Sequence, residues 1–112
     1  MSSKLMLNLV EGSVACNFTL EAAQNLQEAI AQLMASLKVA ATKGGKTTPQ
    51  KPMEYQYTGE VFLEIFCNPN IWPSPFAAKV LITLRDDRIR LTTEAELTRL
   101  IEDVSQFVEQ AS

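Results

Sequence analysis

The chain has 112 residues, of which 46% are hydrophobic, and a formal net charge of -3. A chain of this length buries roughly two-thirds of the surface that its unfolded form exposes, so it needs neither a disulfide nor a metal to fold. The acidic balance argues against a general nucleic-acid coat protein, because binding by counterion release requires a basic surface.

Residue types that serve common catalytic and metal sites are sparse in this chain. Histidine is absent, which removes the commonest general base and the commonest zinc ligand. Cys16 and Cys67 each lie in an apolar alternating run, where a thiol usually behaves as a small buried hydrophobic group. We therefore expect no catalytic residue, no metal site and no cofactor. The apolar run at residues 5–10 is too short for a signal peptide and no stretch has the length of a membrane span, which predicts a cytoplasmic protein without a membrane partner.

The chain begins with the pattern of a β-hairpin followed by a helix. Residues 5–10 and 14–18 alternate on either side of a glycine-containing turn, as two short strands do. Thr19 then suits a helix N-cap, and apolar residues recur at three- and four-residue spacing after it. This spacing predicts a long amphipathic helix from about Leu20 to Ala41.

A basic segment from about residue 42 to residue 52 follows and is rich in Lys, Gly, Thr and Pro, which predicts a mobile loop. It carries Lys43, Lys46 and Lys51, and Lys38 on the preceding helix extends the group. Its Gly-Gly-Lys-Thr run ends like a phosphate-binding loop but follows a helix instead of a strand, so we reject that match. Flexible lysines without aromatic stacking partners favour a solvated loop over RNA or polyanion binding, which stays an alternative.

Three further strands are predicted in the second half of the chain, one long strand and the two arms of a hairpin. Residues 53–57 are compatible with a short edge strand, and residues 60–67 alternate as a longer strand does. A hairpin then runs from Lys79 to Leu91 around the polar turn at residues 85–88. An antiparallel sheet is expected at the centre of the fold.

The last element predicted is a helix from Glu94 to Gln110. The sequence Thr93-Glu94-Ala95-Glu96 matches a capping box, in which the threonine side chain accepts a hydrogen bond from the third helical amide. Leu100 and Val104 belong to the apolar stripe of this helix, whereas Asp103 is predicted to face water with its acidic neighbours.

Together these elements predict a single α+β domain over residues 1–112. The predicted order is ββαβββα, and the predicted architecture is a two-layer sandwich. It combines a mainly antiparallel sheet of four to five strands with two amphipathic helices.

The segment between the long strand at residues 60–67 and the hairpin that begins at Lys79 is the first candidate partner-binding region. It contains Ile71, Trp72 and Phe76 among three prolines. Large aromatic side chains on a stiffened loop lose little entropy when they dock, so they are effective interface anchors. The alternative is that Trp72 folds back and caps the open end of the core.

The second candidate is one face of the predicted sheet. If the alternate residues from Val61 to Cys67 face the helices, the opposite face carries Phe62, Phe66 and Leu81, with Met6 and Val10 alongside. Exposed apolar patches usually mark an interface, and two-fold dimers are the commonest assemblies, so we expect a homodimer or a protein partner on this face. In the alternative arrangement, one helix covers each face of the sheet.

The favoured function is therefore a non-enzymatic protein-interaction module, an assembly or regulatory factor that acts through the sheet face and the Trp72 segment. One alternative is binding of RNA or another polyanion through the lysine-rich loop. A second is a small enzyme or ligand carrier with a pocket between the sheet and the helices. Fold class alone does not decide among these functions.

Overall fold

A computed structural model describes residues 3–42 and 49–112 of the chain. Its strands and helices are β1 Ser3–Leu9, β2 Gly12–Phe18, α1 Leu20–Thr42, β3 Met53–Thr58, β4 Phe62–Cys67, β5 Lys79–Arg85, β6 Arg90–Glu96 and α2 Leu97–Ala111, with a short 3-10 helix at Pro69–Ile71. The predicted α+β class and the predicted order of strands and helices are confirmed, and residues 53–58 do form a strand.

The strands form two antiparallel sheets. β1 and β2 pair only with each other, whereas β3, β4, β5 and β6 form a four-stranded sheet in chain order. The β1–β2 hairpin contacts α2 through β1, and it buries Leu5, Leu7 and Phe18 in the common core. Two aromatic contacts fix its position, since the Phe18 ring lies 4.8 Å from that of Tyr57 and 5.6 Å from that of Phe107.

Helix α1 begins where the sequence predicts. The Thr19 hydroxyl accepts a hydrogen bond from the Ala22 amide at 3.1 Å, which satisfies one of the free donors at the helix N-terminus. The apolar stripe of the helix is buried, Leu26 and Leu37 completely. The Tyr55 hydroxyl donates to the Ala22 carbonyl at 3.1 Å and so joins β3 to the first turn of α1.

The predicted start of the second helix is wrong. Residues 90–96 form strand β6, and Thr93 pairs with Ile82 across the sheet instead of capping a helix. Helix α2 begins at Leu97, and its N-cap residue makes no side-chain capping hydrogen bond. The Leu97 amide donates to the Ala78 carbonyl at 3.0 Å, so the backbone carbonyl just before β5 accepts from the first amide of the helix. Pairing along the whole of β5 outweighs the local capping signal.

The prediction that Asp103 faces water is also wrong. Asp103 is only 6% exposed, and its carboxylate accepts hydrogen bonds from the Asn8 amide at 2.7 Å and from the Asn8 side-chain amide at 2.8 Å. The backbone amide of an edge strand needs an acceptor when a helix covers it. Asp103 supplies that acceptor because α2 lies against β1.

The two helices and the β1–β2 hairpin cover one side of the four-stranded sheet. α1 contacts β3, α2 contacts β6, and the two helices contact each other. Alternate residues of β3, β4 and β5 are buried beneath them. Neither α1 nor α2, within the described parts of the chain, is long and apolar enough to cross a membrane.

Candidate protein interface on the four-stranded sheet

The side of the four-stranded sheet that points away from the helices is here named the outer face. On β5, Val80, Ile82 and Leu84 are buried towards the helices, whereas Leu81, Thr83 and Arg85 point outward. Leu81 and Arg85 are exposed, and Thr83 between them is buried. No described helix covers the outer face, so the alternative with one helix on each face is wrong.

Cross-strand register arranges the outer-face side chains in three rows that cross all four strands, and one further pair, Lys79 on β5 and Glu96 on β6, lies beyond the apolar row. The apolar row is Glu54, Phe66, Leu81 and Glu94; the middle row is Gln56, Glu64, Thr83 and Thr92; the arginine row is Thr58, Phe62, Arg85 and Arg90. In each row the residues are in the order β3, β4, β5, β6. Successive rows lie about 7 Å apart along the strands.

The apolar row carries the exposed hydrophobic pair of this face. Phe66 and Leu81 are directly opposite each other on β4 and β5 and are 36% and 42% exposed. Glu54 flanks the pair on one side and Glu94 on the other, and both are exposed. A partner that covered this pair would bury apolar surface between two carboxylates.

The arginine row has the opposite charge. The guanidinium carbon of Arg85 lies 4.4 Å from the centroid of the Phe62 ring, a cation–π contact that leaves Phe62 half-buried. Arg90 is directly opposite Arg85 on β6. In the middle row, the Gln56 side-chain amide donates to Glu64 at 2.9 Å. With Lys79 and Glu96 included, the outer face still has an excess of carboxylates at the end that carries the apolar row and two arginines at the other end.

The segment that joins β4 to β5 leaves the sheet at the end that carries the apolar row. Pro69 is buried, and the 3-10 helix that it begins contacts α1. The side chain of Asn70 accepts from the Gln50 amide at 2.7 Å and donates to the Gln50 carbonyl at 2.8 Å. These bonds fix the start of the segment against the residues that precede β3.

Trp72 lies against the core in this segment. It is half-buried and packs on the hydrophobic cluster, and its side chain hydrogen bonds to the Cys67 thiol. Burial raises the pKa of that thiol to about 11, although the bond to Trp72 opposes the rise. Its neighbour Ile71 is 65% exposed, and Phe76, in a turn closed by a hydrogen bond from Ala77 to Ser74, is 84% exposed. The contacts of Trp72 match the core-capping alternative, and Ile71 and Phe76 supply the exposed apolar groups.

Other predicted site residues do not belong to the four-stranded sheet. Met6 and Val10 are 50% and 66% exposed and lie on the separate β1–β2 hairpin; Val10 lines a surface depression together with Glu94 of the outer face, whereas Met6 lies beside α2. Lys38 and Lys51 are exposed, whereas Lys43 and Lys46 lie outside the described residues.

Surface depressions exist elsewhere on the molecule. One of about 360 Å³ lies between α1 and the start of β3 and is open to solvent, and Gln32, Leu33, Lys51 and Met53 are among its lining residues. In residues 3–42 and 49–112 no three side chains of Cys, Asp or Glu come together in a way that could hold a metal ion.

Sequence reasoning identified the apolar members of the outer face but missed the charge arrangement. Arg85 and Arg90 belong to one row and Glu54 and Glu94 to another only because of the strand register. Register depends on turn lengths that the sequence pattern does not fix. Comparisons of the chain with protein-family models, curated proteins and solved structures found no match.

Proposed function

We propose that this protein is a non-enzymatic protein-interaction module that binds its partner through the outer face of the four-stranded sheet. The observation that carries the proposal is the exposed Phe66–Leu81 pair on a sheet face that no described element covers. In the proposal the protein acts in the cytoplasm as an assembly or regulatory factor.

The rigidity of the outer face supports this proposal. Phe66 and Leu81 lie in the middle two strands of the sheet, where backbone pairing on both sides holds them in place. A preorganised surface loses little conformational entropy on binding. Burying the exposed parts of the two side chains would contribute on the order of 1 kcal/mol each.

The segment between β4 and β5 adds to the proposed surface. Phe76 is the most exposed of the large hydrophobic side chains in the described residues, at 84%. Trp72 packs on the core, and the segment joins the end of β4 to the start of β5, so Ile71 and Phe76 lie beyond the end of the sheet that carries Phe66. Aromatic residues of this kind are common among the strongest contributors to binding.

The alternative functions have less support in the described residues. Polyanion binding would use Lys38 and Lys51, which are exposed, whereas the other two lysines of the predicted group lie outside the described residues. An enzyme or ligand carrier would need an enclosed pocket between helices and sheet; the depression between α1 and β3 is open to solvent, and Ile65 and Leu100 are buried in a common core.

Site-specific photocrosslinking in the native cell tests the proposal. A benzoylphenylalanine at Leu81 reports on the outer face, and the same residue at Glu28, exposed on α1, is the matched control. We expect a protein adduct from position 81 and none from position 28. The proposal is wrong if position 81 gives no protein adduct, or if both positions give the same adducts. Nuclease sensitivity of an adduct would favour the RNA alternative.

A further inference from the structure

The arrangement of charge on the outer face indicates which partner it fits. We propose that the partner is a second copy of this chain, packed outer face against outer face about a two-fold axis that crosses the strands. This inference rests on the proposed function, because it names the occupant of the same surface.

Two-fold symmetry limits how two such faces can meet. The axis of a face-to-face dimer lies in the plane between the sheets, and packed sheets keep their strands within about 30° of each other. The axis therefore runs either nearly across the strands or nearly along them. The two choices bring different rows of the outer face together.

An axis across the strands, through the middle row, places the apolar row of each copy over the arginine row of the other. Strand position is kept and row order is reversed, so Glu94 meets Arg90 of the second copy and Phe66 meets Phe62 of the second copy. By the same operation Leu81 meets Arg85 and Glu54 meets Thr58 of the second copy. Symmetry repeats each contact. Neither Glu94 nor Arg90 has a partner of opposite charge among the described residues of its own chain, so both are free to pair between chains.

An axis along the strands has the opposite electrostatic result. It keeps each row over the same row of the other copy and exchanges β3 with β6. Glu54 then meets Glu94 of the second copy, twice, although Phe66 also meets Leu81 of the second copy in the same row. Like charges placed opposite each other at an interface oppose association. The charge pattern therefore selects the axis across the strands.

The size of the face and its central residue set the expected affinity. Four strands at ordinary spacing give a face about 19 Å wide and about 21 Å long. Its area of about 400 Å² is about half of the roughly 800 Å² that each partner buries in a standard interface. Glu64 in the middle row would also lie near Glu64 of the second copy. Both features predict a weak dimer, with a dissociation constant on the order of micromolar.

Sedimentation equilibrium of the purified chain between about 1 and 200 μM, concentrations that bracket micromolar affinity, tests this inference. We expect a monomer–dimer equilibrium. Glu94→Arg should weaken dimerisation on the order of tenfold, because it places two arginine pairs across the axis. Adding Arg90→Glu to the same chain should restore it. Glu64→Gln should tighten it, and Glu28→Arg on α1 makes the same charge change away from the face and should leave it unchanged.

The outcomes separate this inference from the proposed function. All these substitutions are at surface positions, and an unchanged circular-dichroism melting temperature establishes that each variant is folded. A wild-type chain that stays monomeric at the highest concentration overturns the second-copy inference, while a Leu81 adduct with a different protein would leave the proposed function standing. Tighter association of Glu94→Arg would mean that the axis runs along the strands, and the inference is then wrong.

Discussion

The two faces of the four-stranded sheet are built from the same strands but differ in what covers them. On β5, Ile82 is fully buried, whereas its neighbour Leu81 is 42% exposed. Both residues are apolar and both have a cross-strand partner on β4. The difference arises from the helices and the hairpin, which lie only on the side of Ile82. An exposed apolar residue in a central strand is thus a property of the layer arrangement and not of the strand.

Substitution of these two neighbours provides the strongest test of the comparison. Ile82→Ala should lower the free energy of unfolding by about 2–5 kcal/mol, because it removes buried methyl groups and leaves a cavity in the core. Leu81→Ala should cost less than about 1 kcal/mol, because much of that side chain is already in water. Chemical denaturation of dilute protein, at concentrations where self-association is negligible, gives both values.

Equal costs for the two substitutions would contradict the assignment of Ile82 to the buried face and of Leu81 to the exposed face. A large cost for Leu81→Ala in dilute solution would mean that the outer face belongs to the monomer core. If Ile82→Ala were harmless, the helices would not pack where the structure places them.

The two faces show which parts of the fold can be predicted from the sequence. Alternation correctly assigned Phe62, Phe66 and Leu81 to one side of the sheet, because side chains on a strand point to opposite faces in turn. It left open whether the helices share the other side, since an amphipathic helix shows one apolar stripe wherever it packs. That choice depends on long-range contacts such as those between α1 and α2.

The next largest loss of stability is expected where α2 is joined to β1. Asp103 accepts two hydrogen bonds from Asn8 and thereby joins α2 to β1. Asp103→Ala should lower the free energy of unfolding by about 1–3 kcal/mol, since it leaves the Asn8 donors without an acceptor. The neighbouring Glu102 is exposed, so Glu102→Ala should change stability by less than about 0.5 kcal/mol.

Thermal and urea unfolding of the two alanine variants measure this difference. The reversed order, with Glu102→Ala the more harmful substitution, would mean that Asp103 faces water as the sequence pattern predicted. Asp103 was missed because its position on the helix lies beside the apolar stripe, where a polar residue normally reaches solvent. Only the approach of β1 gives it a buried partner.

Alkaline pH tests the buried face of the four-stranded sheet through Cys67 and Tyr55. Burial raises the pKa of Cys67 from 9.0 to about 11 and the pKa of Tyr55 from 10.0 to about 12. The folded chain then keeps a proton on Cys67 between pH 9 and 11 that the unfolded chain releases, so the free energy of unfolding falls as the pH rises through this range. Below pH 9 this contribution is fully present.

The Cys67→Ala variant isolates the thiol. It should be less stable than wild type at pH 7 because of lost packing, but its stability should fall less steeply between pH 9 and 11. Urea denaturation at steps of about half a pH unit resolves the two slopes. Parallel slopes would show that Cys67 does not titrate with a raised pKa in the folded chain.

The smallest expected effect concerns Thr93, where the sequence prediction failed most clearly. Thr19 and Thr93 both precede predicted helices, but only the Thr19 hydroxyl accepts a helix amide. Valine keeps the branched shape and removes the hydroxyl. Thr19→Val should therefore cost about 1 kcal/mol, the usual value of a lost cap. Thr93→Val should leave stability unchanged to within about 0.5 kcal/mol, because valine is at least as favourable in a strand.

Thr93 lies on the helix-facing side of the edge strand β6, so the same comparison reports on whether residues 90–96 extend the sheet. Thermal unfolding of the two variants, measured side by side, decides the point: a loss at Thr93 equal to that at Thr19 would place a helix cap there and remove β6 from the sheet.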